Sequence, residues 1–178
     1  MQFLDQAPGE GHVMFASRVR TLGISALVAL LASCGSANAD CSVRPEGACV
    51  RGDLSGEKFT GRDLRGMDLR DTNLGGTDLR GADLTGADLT GAVLSDAKLQ
   101  GAVLTGALLH SAELTGADLS GAQLTGVDLR KADLTATILD GAFLTDANLA
   151  GAKGKPDLSN AFRCNTKRPS GNVESSGC

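Results

Sequence analysis

The chain has no tryptophan and no tyrosine, and its five phenylalanines are the whole of a 3% aromatic content in 178 residues. A core filled by large rings is therefore excluded, and smaller side chains must occupy the interior. A basic excess is missing too. The formal charge of −4 and the pI near 5.1 speak against a nucleic-acid-binding surface, which is normally basic along one face or stripe, so no nucleic-acid partner is expected. The chain also lacks the motifs G-x-x-x-x-G-K-[ST], H-E-x-x-H and G-x-S-x-G, and with them the usual phosphate cradle, zinc pair and activated serine. Of its two histidines only His110 follows residue 39, and it sits just after Leu109 in an outward slot, where a lone histidine reads as solvent-facing. The calcium-binding solenoid signature Gly-Gly-x-Gly-x-Asp is absent as well. No catalytic residue, metal or cofactor is expected, and the protein reads as non-enzymatic.

What is present begins with an apolar run. Leu22 to Leu31 carries no charge, follows Arg18 and Arg20, and precedes Gly35, which is the layout of a secretory signal peptide. The run is too short to cross a bilayer comfortably. Asp5 and Glu10 fit a signal n-region poorly, so Met14 is the expected true start. Two processing routes overlap. Leu31-Ala32-Ser33-Cys34 resembles a bacterial lipobox, which would place a lipid on Cys34, whereas Ala37-Asn38-Ala39 is a small-x-small site for cleavage before Asp40. Residues 1–39 thus read as an N-terminal extension and signal peptide. The destination is the periplasm, the exterior or the outer membrane, with membrane contact only through a lipid anchor.

Cysteine usage agrees with export. Either route removes or modifies Cys34 and leaves Cys41, Cys49, Cys164 and Cys178, an even number suited to an oxidising compartment. Three connectivities are open. Pairing Cys41 with Cys49 and Cys164 with Cys178 is the expected one, because each pair brackets one end of the repeat described next. A metal site is disfavoured, since no C-x₂-C spacing accompanies these cysteines.

From Leu54 to Leu149 a Leu, or once Phe59, returns at every fifth position, twenty times without a gap. Between Ala82 and Ala147 the residue two before it is Ala except at Val127 and Thr137, the residue just before it is most often Asp, and Gly usually follows two later. Five residues advance an α-helix by about 500°, which scatters the leucines around the axis. On a strand an odd period sends them to alternate faces. Only a chain that turns a corner once per unit keeps every Leu inward, with Gly tolerating the positive φ that tight corners need.

Runs such as Ala82-Asp83-Leu84-Thr85-Gly86 and Ala117-Asp118-Leu119-Ser120-Gly121 resemble the pentapeptide-repeat family. The resemblance implies an all-β, right-handed quadrilateral β-helix with four units per coil, hence about five coils, and with Leu and the preceding Ala pointing inward. The repeat block is expected at 52–151, between an N-terminal cap at 40–51 and a C-terminal cap or tail at 152–178, with disulfides covering both ends. Glu57, Arg62, Met67, Thr72 and Thr77 stand where Ala stands later, so the first coil is expected to be loose and its polar groups wet.

Four units per coil stack residues twenty apart. Lys58, Asp78, Lys98 and Asp118 should then form a ladder of alternating sign, a modest stabiliser at an exposed site. Asp63 over Asp83, and Asp68 over Asp88, should form like-charge ladders on two adjacent faces, to be screened or used by a cation or basic partner. Val93, Val103 and Leu108, and further along Ile138 and Phe143, replace the usual outward Asp and suggest two partial apolar girdles for self-association or a protein partner. The threonines at 85, 105, 125 and 145 lack a second threonine rank and are expected only to stabilise a β face. The leading function is an exported scaffold or protein-interaction module of the bacterial cell envelope, its partner unspecified and a homo-oligomer among the options. The alternative, implied by the resemblance, is a DNA-mimicking regulator or protector of a type II topoisomerase, which requires a cytosolic chain.

Overall fold

The computed structural model describes Cys41 and residues 43–174. The expected leader, with Met14, Cys34 and the Ala37–Ala39 site, lies outside the described residues, as does Cys178. Contacts divide the chain into Met1–Leu31 and Ala32–Cys178, and every described residue belongs to the second unit. Among the described residues no helix is long and apolar enough to cross a membrane.

The described chain is a right-handed, four-sided β-helix. Parallel bridges join residues twenty apart, from Asp53↔Asn73 to Asp133↔Lys153. Each unit closes on the same bonds. In the unit of Leu84, the Ala87 N–H donates to the Leu84 carbonyl across the corner (3.0 Å), while the Leu84 N–H reaches the Val103 carbonyl of the next coil (2.7 Å) and the Asp83 N–H the Arg62 carbonyl of the previous one (2.9 Å). Backbone groups are thereby satisfied without a long strand. Gly86 at the corner has φ +67°, the region that only glycine enters without steric cost. The same slot also holds Arg51, Asp71, Asp96, Ser111, Lys131, Ala136 and Asp146, all with φ between +56° and +59°.

Aspartate before leucine has a local cause. Asp83 Oδ1 accepts the Thr85 N–H (3.0 Å) and the Thr85 hydroxyl (2.6 Å), and Asp118 and Asp133 hold Ser120 and Thr135 in the same way. These side chains imitate a turn and pin each unit's entry into its corner. Inside, the Leu and Ala positions form one continuous core from Cys49 to Leu149.

The first coil is less open than expected. Met67 is buried, and so are Thr72 and Thr77. The Thr72 hydroxyl donates to the Cys49 carbonyl and the Thr77 hydroxyl to the Leu74 carbonyl. Thr137 and Thr166 are enclosed likewise, bonded to the carbonyls of Leu114 and Leu144. A short hydroxyl reaches a carbonyl from the Ala slot, so burial leaves no unmet donor. Only Glu57 and Arg62, too long for that slot, remain outside the core, half-buried and exposed respectively.

At the N-terminal end Cys41 and Cys49 are joined by a disulfide, and Ala48 already pairs with Asp68. The far end departs from the repeat. At Gly154 a Cβ would lie 2.3 Å from the Thr135 nitrogen, so the chain crosses the coil below at a distance only glycine permits. The coil then resumes with a step of nineteen, Phe143↔Phe162 and Asn148↔Lys167. Strand β1 (Thr166–Lys167) is answered by antiparallel strand β2 (Val173–Glu174). Turning the chain back lays a final strand on the open edge of this sheet, a common protection against edge pairing. Cys164 is disulfide-bonded.

Candidate interaction surfaces

The twenty-residue step sorts the outward positions onto four faces. Face one carries Asp53, Asn73, Val93, Glu113, Asp133 and Lys153. Face two carries Lys58, Asp78, Lys98, Asp118 and Ile138. Face three carries Asp63, Asp83, Val103, Gln123, Phe143 and Phe162, and face four runs from Ala48 through Asp68, Asp88, Leu108, Asp128 and Asn148 to Lys167.

The like-charge ladders of faces three and four form as expected, Asp63 over Asp83 and Asp68 over Asp88, but the chain supplies its own counterions. Arg65 grips Asp63 with two bonds (Nε to Oδ1 2.8 Å, Nη2 to Oδ2 2.7 Å) and sets Nε 3.7 Å from Asp83 Oδ2. Arg70 repeats this on Asp68 and Asp88 at the same distances. The hydrogen bonds from these guanidiniums hold the Asp63 and Asp68 carboxyls below the usual carboxylate range. The planar fork of arginine suits this bidentate grip. The acidic faces are therefore less available to a cation than stacked aspartates alone suggest.

Face two corrects the alternating ladder. Lys58, Asp78, Lys98 and Asp118 do stack, yet Asp78 is held by Arg80 (2.6 and 2.8 Å) and Asp118 by Gln100 and Ser120. Among the described residues neither lysine forms an ion pair with either carboxylate. Arg80 and Ser120 reach their Asp from two positions along the same chain segment, while Gln100 reaches Asp118 from the adjacent coil.

The five outward apolar residues fall at two levels, Val93, Val103 and Leu108 within one turn of the coil and Ile138 and Phe143 within another, each set spread over different faces. Val93 is half-buried between Asn73 and Glu113 on face one, Leu108 lies between Asp88 and Asp128 on face four, and Ile138 ends face two above Asp118. Val103 and Phe143 share face three, separated by Gln123. Sequence reasoning missed their companion Phe162. Its ring stacks on that of Phe143, with centroids 4.7 Å apart and planes 7° from parallel, and the two are 52% and 39% exposed. The signal was available: Ala161-Phe162 repeats Ala142-Phe143 after nineteen residues instead of twenty, one corner residue having been lost.

The remaining features are modest. His110 is half-buried on face four with its Nδ1 enclosed and without a hydrogen-bond partner. Among the described residues no group of three or more His, Cys, Asp or Glu side chains is placed to hold a metal ion. A cavity of about 290 Å³ near the C-terminal end is lined by Lys155, Pro156, Leu158, Arg163, Arg168 and Pro169, and both arginines are already engaged.

Comparison with known proteins agrees with this architecture. A family model described as pentapeptide repeats matches in eight copies over residues 58–96, 92–131 and 128–153, more than half the chain. No curated protein matches. The fold is similar to that of HetL, a pentapeptide repeat protein involved in heterocyst differentiation regulation from the cyanobacterium Nostoc sp. strain PCC 7120. The two are 31% identical over 72% of this chain and 69% of HetL, with a TM-score of 0.61. A trypsin-treated form of QnrB1, a plasmid-mediated fluoroquinolone resistance protein, is 25% identical over 65% of this chain and 59% of its own length (TM-score 0.57). Rfr23 from the cyanobacterium Cyanothece 51142 is 29% identical over 64% and 89% (TM-score 0.51).

Proposed function

The chain belongs to the pentapeptide-repeat family, and on that premise we propose that it is a non-enzymatic, exported scaffold of the bacterial cell envelope that binds protein partners along its flat faces. One observation carries the compartment: a signal-like segment is followed by four further cysteines, of which Cys41 and Cys49 are joined at the start of the coil. Structural disulfides persist in oxidising compartments and are rare in the cytosol. The faces suit binding, because each is a sheet surface of turn-forming aspartates, paired arginines and scattered apolar side chains.

Processing at Cys34 would tether the coil to the outer membrane, and cleavage before Asp40 would release it to the periplasm. Cell fractionation with mass spectrometry of the mature N-terminus tests both. A lipid-modified Cys34 or an Asp40 start in the envelope or secreted fraction is expected, and an unprocessed cytosolic chain would overturn the proposal.

The second reading, imitation of DNA for a type II topoisomerase, is favoured by the stacked aspartates of faces three and four. It is opposed by Arg65 and Arg70, which neutralise part of that charge from within. A supercoiling assay with purified gyrase distinguishes the readings. Inhibition or protection at stoichiometric protein would favour mimicry, and no effect favours the envelope scaffold.

A further inference from the structure

We propose that the basic cavity beside the C-terminal hairpin binds a phosphate group carried on a small organic stem, of which glycerol is the simplest. The proposal goes beyond the protein-binding reading above and stands independently of it.

The charge of the chain changes sign where the repeat ends. From Gly151 to Glu174 the cations Lys153, Lys155, Arg163, Lys167 and Arg168 stand against only Asp157 and Glu174, in a chain whose formal charge is −4. Lys155, Arg163 and Arg168 line one cavity of about 290 Å³, and no carboxylate among the described residues lines it with them. Asp157 lines a separate cavity of about 180 Å³ instead, its Oδ1 accepting the Ser159 N–H (2.9 Å). Both arginines are already engaged, but a guanidinium, with five N–H donors in a planar fork, serves more than one acceptor, as Arg65 does with Asp63 and Asp83. Lys155 adds a point charge, since among the described residues every ion pair belongs to an arginine.

The backbone that carries these groups is held in place. Gly154 is pressed against Thr135, and Lys155 follows it with φ +45°. The Pro169 carbonyl accepts the Gly151 N–H (2.9 Å) and the Arg168 carbonyl accepts the Gly171 N–H (2.8 Å), which seats Arg168 at the start of the turn between β1 and β2. Half-buried Pro156 and Leu158 supply an apolar part of the wall. Guanidiniums match the oxygens of a phosphate with paired hydrogen bonds, and the apolar wall accommodates the carbons attached to it. The volume lies at the lower end of small-ligand sites, ~300 Å³, which suits a compact anion on a short stem.

Isothermal titration calorimetry of the full chain tests this with glycerol 3-phosphate, inorganic phosphate and acetate, at about 0.15 M salt, where charges more than ~8 Å apart are largely screened. Glycerol 3-phosphate should bind saturably with a Kd of about 1 mM, inorganic phosphate more weakly, and acetate not measurably. Lys155→Gln and Arg168→Gln should each weaken binding by about threefold to tenfold. Lys98→Gln, which removes the same charge from face two, should leave it unchanged. Lys155 is exposed, so its replacement spares the core, and a thermal melt of each variant verifies the fold. Co-sedimentation with phosphatidylcholine vesicles, with and without phosphatidylglycerol, separates the sources of the phosphate. Capture that requires phosphatidylglycerol and is lost in Lys155→Gln supports a lipid headgroup, whereas binding of glycerol 3-phosphate without such capture supports a soluble or polymer-borne phosphate. Vesicle capture indifferent to phosphatidylglycerol, as insertion of the leader would be, counts as no binding. The proposal is overturned by no binding in either format, by acetate binding as tightly as phosphate, by binding unchanged in both Lys155→Gln and Arg168→Gln, or by equal loss in Lys98→Gln.

Discussion

Arg65 reaches beyond its own coil to Asp83, placing Nε 3.7 Å from the carboxylate oxygen while its fork remains bonded to Asp63. One guanidinium thus serves two stacked carboxylates, and Arg70 does so for Asp68 and Asp88. Replacing Arg65 with Gln removes the charge and leaves two aspartates facing one another across a bridge, where like charges destabilise. The variant should melt at a lower temperature than the parent in dilute buffer. The difference should shrink at about 1 M salt, where the screening length falls to ~3 Å. Circular dichroism melts at the two ionic strengths measure it, and a salt-independent loss would mean that Arg65 acts through packing of its stem.

The same contacts set a pH dependence. Hydrogen bonds from arginine lower the carboxyls of Asp63, Asp68, Asp78 and Asp128, and a hydrogen bond from the Thr135 side chain lowers that of Asp133. A group whose folded pKa lies below its unfolded value stabilises fully above the unfolded value, here 3.8, and loses that contribution as pH falls through the folded one. Melting temperature should hold from neutrality to about pH 5 and drop progressively below about pH 4. Arg65→Gln should flatten part of that drop, since it removes the cause of the Asp63 shift. A thermal-melt series from neutral to strongly acid pH checks both.

The architecture was legible because period five is incompatible with a straight helix or strand, so Leu54 to Leu149 had to line a turning coil. What escaped the sequence was the behaviour of long or short polar side chains in that frame. Arg65 and Arg70 occupy slots that in other units hold Thr, and only the coil geometry reveals that a guanidinium there spans two rungs. Thr72 and Thr77 look too polar for the interior, yet a hydroxyl at the Ala slot lies within reach of a backbone carbonyl. Phe162 was hidden by one missing corner residue, which breaks the period in the text but not the stacking. The apolar outward residues were named correctly as exceptions to Asp, while their division among four faces depended on following the register unit by unit.

The N-terminal disulfide and Gly52 constrain each other. Gly52 is buried in the slot that later units fill with Ala, and a Cβ there would lie 2.4 Å from Cys49 Sγ. Gly52→Ala should cost about 1–3 kcal/mol, the usual range for overpacking. Breaking the Cys41–Cys49 link by Cys41→Ser with Cys49→Ala should itself cost about 2–3 kcal/mol, from the short loop that the bond closes. Because Cys49→Ala also removes the sulfur that the methyl added by Gly52→Ala would meet, the combined variant should lose clearly less than the sum. Urea unfolding of the four proteins gives this cycle, and simple additivity would show that the glycine is required for another reason.

Ala136 stands at a corner with φ +56°, a conformation that costs an L-residue with a Cβ roughly 1–2 kcal/mol. Most corners avoid that cost with glycine, as Gly86 does at φ +67°. Ala136→Gly relieves the strain but gives the unfolded chain more freedom, which takes back about 0.4–1 kcal/mol. The net expectation is a gain of about 0.5–1 kcal/mol. The reverse change at an equivalent corner, Gly86→Ala, meets no atom within 4 Å, so steric crowding adds nothing and the loss should be of similar size. Urea unfolding of both variants checks the pair. Opposite signs of comparable magnitude support backbone conformation as the cause, whereas a loss in Gly86→Ala without a gain in Ala136→Gly would mean that the Ala136 methyl makes a stabilising contact.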